Sequence, residues 1–247
     1  MDILSLIGIL IGLLAVLGGN IVEGGQLSAL LNLPAGLIVI GGTFGAIILQ
    51  TPLRTFVRAW RLFVWVFVPP YIRMQDGIAK IVAWSQTARK DGLLGLEGVA
   101  DNELDPFAQK GLYLLIDGAE PEVIRSILEL EVHSREHRDL AACKVFEGMG
   151  GYAPTMGILG AVLGLITVMR HLEDPAMLGP GIATAFVATV YGVGFANLFL
   201  FPVANKIKAQ AMALAHYREM LIEGIVAISE GENPKAIDLK LRSFMDD

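Results

Sequence analysis

The sequence contains few of the residues and motifs from which enzymes build their sites. It has one cysteine, Cys143, which excludes an internal disulfide framework and cannot form a cysteine-based metal site alone. It has no GxxxxGKS/T, GxGxxG, GxSxG, HExxH or CxxC motif. The pair His133 and His137 lies in a charged segment, which is typical of a solvated helix face. We therefore expect a protein that is not an enzyme and that has no metal and no cofactor.

An excess of basic charge is also missing, and long stretches carry no charge of either sign. The net charge is −6, so no nucleic-acid partner is expected. Each uncharged stretch has at least 18 residues: 3–22, 33–52, 152–169 and 181–205. A helix of that length crosses about 30 Å of hydrocarbon. The hydrophobic content of 54% agrees, and the sequence predicts an all-α membrane protein with four transmembrane helices.

The basic residues are distributed unevenly, and this predicts the orientation. Twelve lie in 54–150, six lie in 206–242, and the remaining one is Arg170. The positive-inside rule places the basic segments and both termini in the cytoplasm. The predicted organisation is transmembrane helices 1 and 2 in 1–53, a helical cytoplasmic domain in 54–150, transmembrane helices 3 and 4 in 151–205 and a cytoplasmic C-terminal helix in 206–247.

The cytoplasmic segment begins with a basic, aromatic stretch. Arg54, Arg58 and Arg61 follow the i, i+4, i+7 spacing of one helix face. This pattern favours an amphipathic helix at the inner membrane surface, and the alternative is a core helix of the cytoplasmic domain. Further helices are predicted at 76–90, 105–116, 121–132 and 134–149, with breaks at Gly92, Pro106, Gly118 and Pro121.

Small residues recur along the predicted spans, which indicates close helix packing. The spans contain no carboxylate. Because a cation path through a bilayer usually needs one, the chain either moves no ion or borrows a charged relay from another chain. Thr189 is the best internal candidate for lining such a path, since its hydroxyl donates and accepts hydrogen bonds. The alternative is a hydroxyl that bonds back to its own helix.

Several segments resemble one known family in order along nearly the whole chain. They are ARKDGLLGLE (88–97), LDPFAQKGLYLLIDG (104–118), APTMGILGAVLGLI (153–166) and DPAMLGPGIATAFVATVYGVGFANLFLFPVANKIK (174–208). They resemble the A-subunit of the bacterial flagellar motor stator, the MotA/PomA family. The related ExbB/TolQ proton-driven energisers share the last two spans, but they usually have three spans in total and fit less well.

The resemblance implies a homopentameric ring around two copies of a single-span B-subunit (MotB/PomB-like), which supplies the membrane aspartate. It implies an inner-membrane complex in which proton flow turns the ring and exerts torque on the rotor switch protein FliG. It also implies roles for individual residues: Arg89 and Glu97 in rotor contact, Pro154 and Pro202 in conformational coupling, and Thr189 in lining the ion path.

The coupling ion is also inferred from the resemblance. Sodium-type relatives tend to have additional hydroxyl groups at the positions of Ala161 and Ala188. A bare sodium ion needs several oxygen ligands, whereas a proton needs a relay carboxylate and water. Alanine at both positions therefore favours protons over sodium.

Overall fold

The computed structural model describes residues 2–171, 173 and 175–245, and every regular element in these residues is helical. Helix α1 spans Ile3–Val22 and α2 spans Leu33–Gln50. The following helices are α3 (Leu53–Phe63), α4 (Met74–Asp91), α5 (Glu97–Asn102), α6 (Pro106–Ile116), α7 (Pro121–Arg170), α8 (Pro175–Phe195), α9 (Phe201–Ser229) and α10 (Pro234–Arg242). Short 3-10 turns lie at Leu27–Leu30, Val64–Val66, Leu93–Leu96 and Ser243–Met245.

Local sequence explains several of these boundaries. The side chains of Asp2, Asn32, Asp105 and Asn233 accept hydrogen bonds from backbone N–H groups at the starts of α1, α2, α6 and α10. Glycine follows α4 and α6, where Gly92 and Gly118 have φ of +77° and +69°. A side chain would strain that backbone, so glycine ends these helices.

Four helices are long and apolar enough to cross a membrane: Ile3–Val22, Leu33–Gln50, Pro121–Arg170 and the helix that continues from α8 into α9. The predicted fold class, four membrane helices with a helical region between the second and third, is confirmed. Helix α1 has no buried residue, so in this single chain most of its surface is free for lipid or neighbouring chains.

The chain divides into two compact units. The first, which we call the membrane unit, comprises residues 1–69 and 139–209. Its core joins the end of α2, helix α3, the middle of α7 and the start of α9 with the π-helical turn before it. Fully buried members include Ile47, Phe146, Met149 and Leu200. An aromatic group surrounds Trp60, which is stacked on Phe44 at a ring-centroid distance of 6.2 Å and meets Phe146 edge-on at 5.6 Å.

The second unit, which we call the cytoplasmic unit, comprises residues 70–138 and 210–247. It has a separate core of large side chains from six helices. Fully buried members are Ile81, Leu96, Phe107, Leu112, Leu115, Ile124, Leu128 and Ile225. Gly231, with φ of +74°, and Pro234 separate α9 from α10.

Three features differ from the sequence predictions or refine them. The predicted break between 132 and 134 is wrong, because α7 is one helix of 50 residues. No glycine or proline occurs there to end it. A π-helical turn interrupts α2 at Leu37–Gly41, and another joins α8 to α9 at Ala196–Leu200. Helix α3 packs in the core of the membrane unit, so it is not a core helix of the cytoplasmic unit.

Candidate functional site

The membrane part of α7 packs on α8 backbone to backbone. A Cβ atom added at Gly192 would lie 2.5 Å from the carbonyl oxygen of Ala153. One added at Gly157 would lie 2.8 Å from the carbonyl oxygen of Ala188, and one at Gly164 would lie 2.8 Å from that of Gly181. Real Cβ atoms do not approach backbone this closely. The two helices therefore meet along a seam of small residues, as membrane helices without a hydrophobic driving force often do.

Most of the predicted ion-path and coupling residues lie along this seam. The Cα atom of Pro154 is 3.1 Å from the Cβ position at Gly192, and the Cα atom of Thr189 is 3.3 Å from that at Gly157. Ala188 is fully buried, whereas Ala161 and Thr189 are half-buried. The structure thus brings Pro154, Ala188 and Thr189 together.

The Thr189 hydroxyl donates to the carbonyl oxygen of Ala185 at 3.3 Å. This is the back-bonded arrangement that the sequence left open as the alternative to path lining. A hydroxyl held this way still has acceptor capacity, so the bond does not decide between the two roles.

Pro202 lies in the first turn of α9, directly after the π-helical turn, and its side chain is exposed. Proline has no N–H group to give to the carbonyl of Leu198 and its ring crowds that carbonyl. The wider π-helical turn at Ala196–Leu200 therefore lies where the proline removes an α-helical hydrogen bond. Pro154 lies inside α7, where the helix continues without interruption.

A polar cluster that the sequence did not reveal ties α2 to α8. The Tyr191 hydroxyl donates to the carbonyl oxygen of Leu30 and accepts from the backbone N–H of Asn32 at 3.3 Å. The Asn32 side-chain amide donates to the Thr184 hydroxyl at 2.9 Å. Thr184 and Tyr191 are seven residues apart, so they share one face of α8. Only that spacing was visible in the sequence.

An ion pair holds the start of α1. Lys206 of α9 donates to the carboxylate of Asp2 and to the hydroxyl of Ser5, and the backbone N–H of Asp2 donates to the carbonyl oxygen of Phe67 at 2.8 Å. The hydrogen bond from Lys206 lowers the pKa of Asp2. The charge therefore stays on Asp2 at neutral pH.

In the cytoplasmic unit, Arg89 and Glu97 lie on either side of the Gly92 turn. Arg89 is in the last turn of α4, and Glu97 is the first residue of α5. Both side chains are exposed, and neither has an ion-pair partner within the described part of the chain. Their charged groups are therefore available to another protein.

Several other charges of the cytoplasmic unit are paired. Arg125 makes a two-point contact with the Glu223 carboxylate, which also lies 3.4 Å from the Lys240 ammonium group. The hydrogen bond from Arg125 lowers the pKa of Glu223, and the hydrogen bond from Lys110 lowers the pKa of Glu131. Nowhere in residues 2–171, 173 and 175–245 do three or more metal-ligating side chains form a cluster.

This arrangement defines a multi-pass membrane protein with tightly packed, uncharged spans and a separate helical unit that displays unpaired charges. A family model described as the MotA/TolQ/ExbB proton channel family matches residues 99–220, and one described as Motility protein A N-terminal matches residues 6–91. Motility protein A of Bacillus subtilis is 37% identical over 246 residues, which cover 99% of this chain and 91% of that protein. Chemotaxis protein PomA of Vibrio alginolyticus is 32% identical over 247 residues, covering 100% and 96%.

Two solved structures match along the chain. The MotAB structure of C. jejuni has a TM-score of 0.95 and 30% identity, covering 100% of this chain and 98% of the other. The flagellar MotAB stator complex of Bacillus subtilis has a TM-score of 0.90 and 37% identity, covering 97% and 95%. The chain belongs to the motility protein A (MotA/PomA) family, and the resemblance read from the sequence is confirmed.

Proposed function

We propose that this chain is the ring subunit of a flagellar stator, which couples proton flow across the membrane to rotation and to torque on the flagellar rotor. The observation that carries the proposal is a match to MotAB stators over the whole length, in both sequence and fold. Four uncharged spans support it, because a chain without its own membrane carboxylate has to obtain one from a partner.

That partner is a single-span B-subunit of the MotB/PomB kind, which brings the membrane aspartate. The two structural neighbours are MotAB complexes, so the same pairing is proposed for this chain. In the proposed complex five copies of this chain surround two B-subunits. The exposed apolar surface of α1 is consistent with contacts to lipid and to neighbouring chains.

Protons are the proposed coupling ion. The side chains of Ala161 and Ala188 supply no oxygen ligand to a sodium ion, and Ala188 is fully buried against α7 and α2. Thr189 then contributes the hydroxyl on the path, while Pro154 and Pro202 allow the helices to change shape as the partner's aspartate gains and loses a proton. Catalysis of a chemical reaction has no part in this proposal.

Torque is transmitted through Arg89 and Glu97 to charged groups on the rotor switch protein FliG. Their exposure and lack of a described partner support this role. We infer that the cytoplasmic unit and both termini lie inside the cell and that the spans cross the inner membrane. The basic residues of 54–150 and 206–242 support this orientation. An ExbB/TolQ-like energiser remains the alternative function, but the match of the motility protein A N-terminal model to residues 6–91 favours the stator.

The test is the native mass of the detergent-purified complex after expression with its candidate single-span partner. Five copies of this chain with two of the partner are expected. A homo-oligomer that forms without the partner would leave the membrane aspartate unsupplied and would overturn the proposal. Motility of a stator-deficient strain that expresses the same pair gives a second, functional readout.

A further inference from the structure

Helix α3 and the 3-10 turn after it carry an apolar stripe on their exposed side. Leu53 is 77% exposed and Val64 is 54% exposed. Val57 and Trp60 are exposed between them, and Val68 continues the row. Leu53, Val57, Trp60 and Val64 are spaced four, three and four residues apart, so they lie on one face of a helix. The opposite face, with Ala59 and Leu62, is buried in the membrane unit.

Two unpaired cations lie beside this stripe. Arg54 and Arg61 are exposed, they are seven residues apart, and neither forms an ion pair with a residue that the structure describes. Arg58 differs, because its guanidinium group binds the buried carboxylate of Asp139 at 2.6 Å. The Arg58–Asp139 pair fixes the rotation of α3 about its axis, so the apolar stripe and the two free cations face outward together.

Trp60 is fixed within the stripe. Its ring contacts Phe44 and Phe146 on the inner side while 37% of its surface stays exposed. Helix α3 also begins three residues after α2 ends at Gln50, so its start lies at one end of a membrane span. Tryptophan at such a position is typical of a membrane–water boundary.

We propose that this face of α3 binds anionic phospholipids, with Arg54 and Arg61 on the phosphate groups and the apolar stripe inserted among the upper parts of the acyl chains. Charge complementarity selects the occupant: two unpaired guanidinium groups beside an apolar row match a negatively charged headgroup above hydrocarbon. The inference rests on the proposed topology, in which α3 lies on the cytoplasmic side, but not on the partner or the coupling ion.

The first experiment compares lipid-dependent stability. The purified complex is melted with phosphatidylglycerol or with phosphatidylcholine, and the anionic lipid is expected to raise Tm more, because ligands that bind the folded state stabilise it. Arg54→Gln/Arg61→Gln is expected to bind phosphatidylglycerol about 10- to 30-fold more weakly and to lose most of that excess. The control Lys90→Gln/Lys235→Gln removes two exposed charges from the cytoplasmic unit and should keep the additional rise in Tm with phosphatidylglycerol. If the double arginine variant shows the same additional rise as wild type, the proposal is overturned.

The second experiment locates the face. A fluorophore on Val57→Cys is compared with one on Leu94→Cys, an exposed site in the cytoplasmic unit, and buried Cys143 should stay unlabelled. Nitroxide lipids are expected to quench the label at position 57 strongly and the label at 94 weakly. Equal quenching at both sites, or efficient disulfide formation between Val57→Cys subunits, would show that lipid does not cover this face. If the complex has the normal native mass but gives either of these results, only the lipid site is disproved and the proposed stator function stands.

Discussion

The two units of this chain pack their helices by different means. In the membrane unit, α7 and α8 meet through glycine backbones, and the closest neighbours of a new Cβ atom at Gly157, Gly164 or Gly192 are backbone atoms, with a carbonyl oxygen nearest in each case. In the cytoplasmic unit, large side chains fill the core, and a Cβ atom at Gly111 or Gly224 would meet the side chain of Ile225 or Ile81. The difference follows from the solvent. Water drives bulky apolar groups together, whereas lipid leaves close backbone approach as the main source of contact.

The largest expected effect comes from Gly192→Ala. Its new methyl group would lie 2.5 Å from the Ala153 carbonyl oxygen, and the backbone cannot move aside. We expect a cost of at least about 1–3 kcal/mol, a lower Tm of the purified complex and loss of swimming. Gly194→Ala on the same helix has no atom within 4 Å and should behave as wild type.

Gly111→Ala gives the matching control in the cytoplasmic unit. The contact there is 2.4 Å from the Cδ1 atom of Ile225, the flexible end of a side chain. We expect a smaller loss of Tm than for Gly192→Ala. If the two alanine variants lose equal stability, the contrast between backbone and side-chain packing is incorrect.

The next effect concerns motion rather than stability. Pro154→Ala and Pro202→Ala restore an N–H donor to α7 and α9, so each helix gains a hydrogen bond and becomes stiffer. Rotation should be strongly reduced while the native mass stays normal, as measured by tethered-cell speed in a strain without another stator. Pro121→Ala, at the first position of α7, should rotate normally because that N–H has no helical partner. Wild-type speed in both the Pro154→Ala and the Pro202→Ala variant would remove the coupling role.

Reversing the exposed charges of the cytoplasmic unit should have an intermediate effect. Arg89→Glu or Glu97→Lys is expected to lower stall torque severalfold, because like charges then face each other at the rotor. Lys235→Glu, an exposed reversal on α10, should leave torque unchanged. Loss of assembly in the Arg89 or Glu97 variants would indicate a structural role instead.

The smallest effect is a pH dependence confined to the cytoplasmic unit. The pKa of Glu223 is lowered from its ordinary value of 4.5, chiefly by the hydrogen bond from Arg125. Its contribution to stability is therefore complete above about pH 4.5 and is lost as the pH falls through the lower folded-state pKa. Glu223→Gln should have a lower Tm than wild type at pH 7, and the difference should shrink below pH 4.5. A constant difference from pH 7 to pH 3 would contradict the ionic role.

The sequence predicted what depends on local composition. Uncharged runs located all four spans, and glycine marked the breaks at Gly92 and Gly118, where the backbone has positive φ. The small residues of 152–205 indicated close packing, and the structure confirms it at Gly157, Gly164 and Gly192.

Features that depend on distant partners were not predictable. Nothing near Asp2 in sequence indicates Lys206, and nothing near Leu30 indicates Tyr191. The break proposed near 132–134 failed because the neighbours of α7 change along its length, so its apolar periodicity shifts without any residue that ends a helix. The π-helical turns were not predicted either, since the uncharged, mostly apolar sequences of Leu37–Gly41 and Ala196–Leu200 do not differ in kind from the rest of their spans.

The turn at Ala196–Leu200 has a consequence for how this family tolerates insertions and deletions. A π-helical turn holds one residue more than an α-helical turn, so removing one residue there would let the turn close as an ordinary α-helical turn without rotating the helix that follows. Buried Val203, Ala204 and Ile207 would then keep their places in the core. A single-codon deletion in this stretch should therefore persist in evolution, whereas one in the α-helical stretch after it would rotate the rest of α9 by about 100° and should be lost.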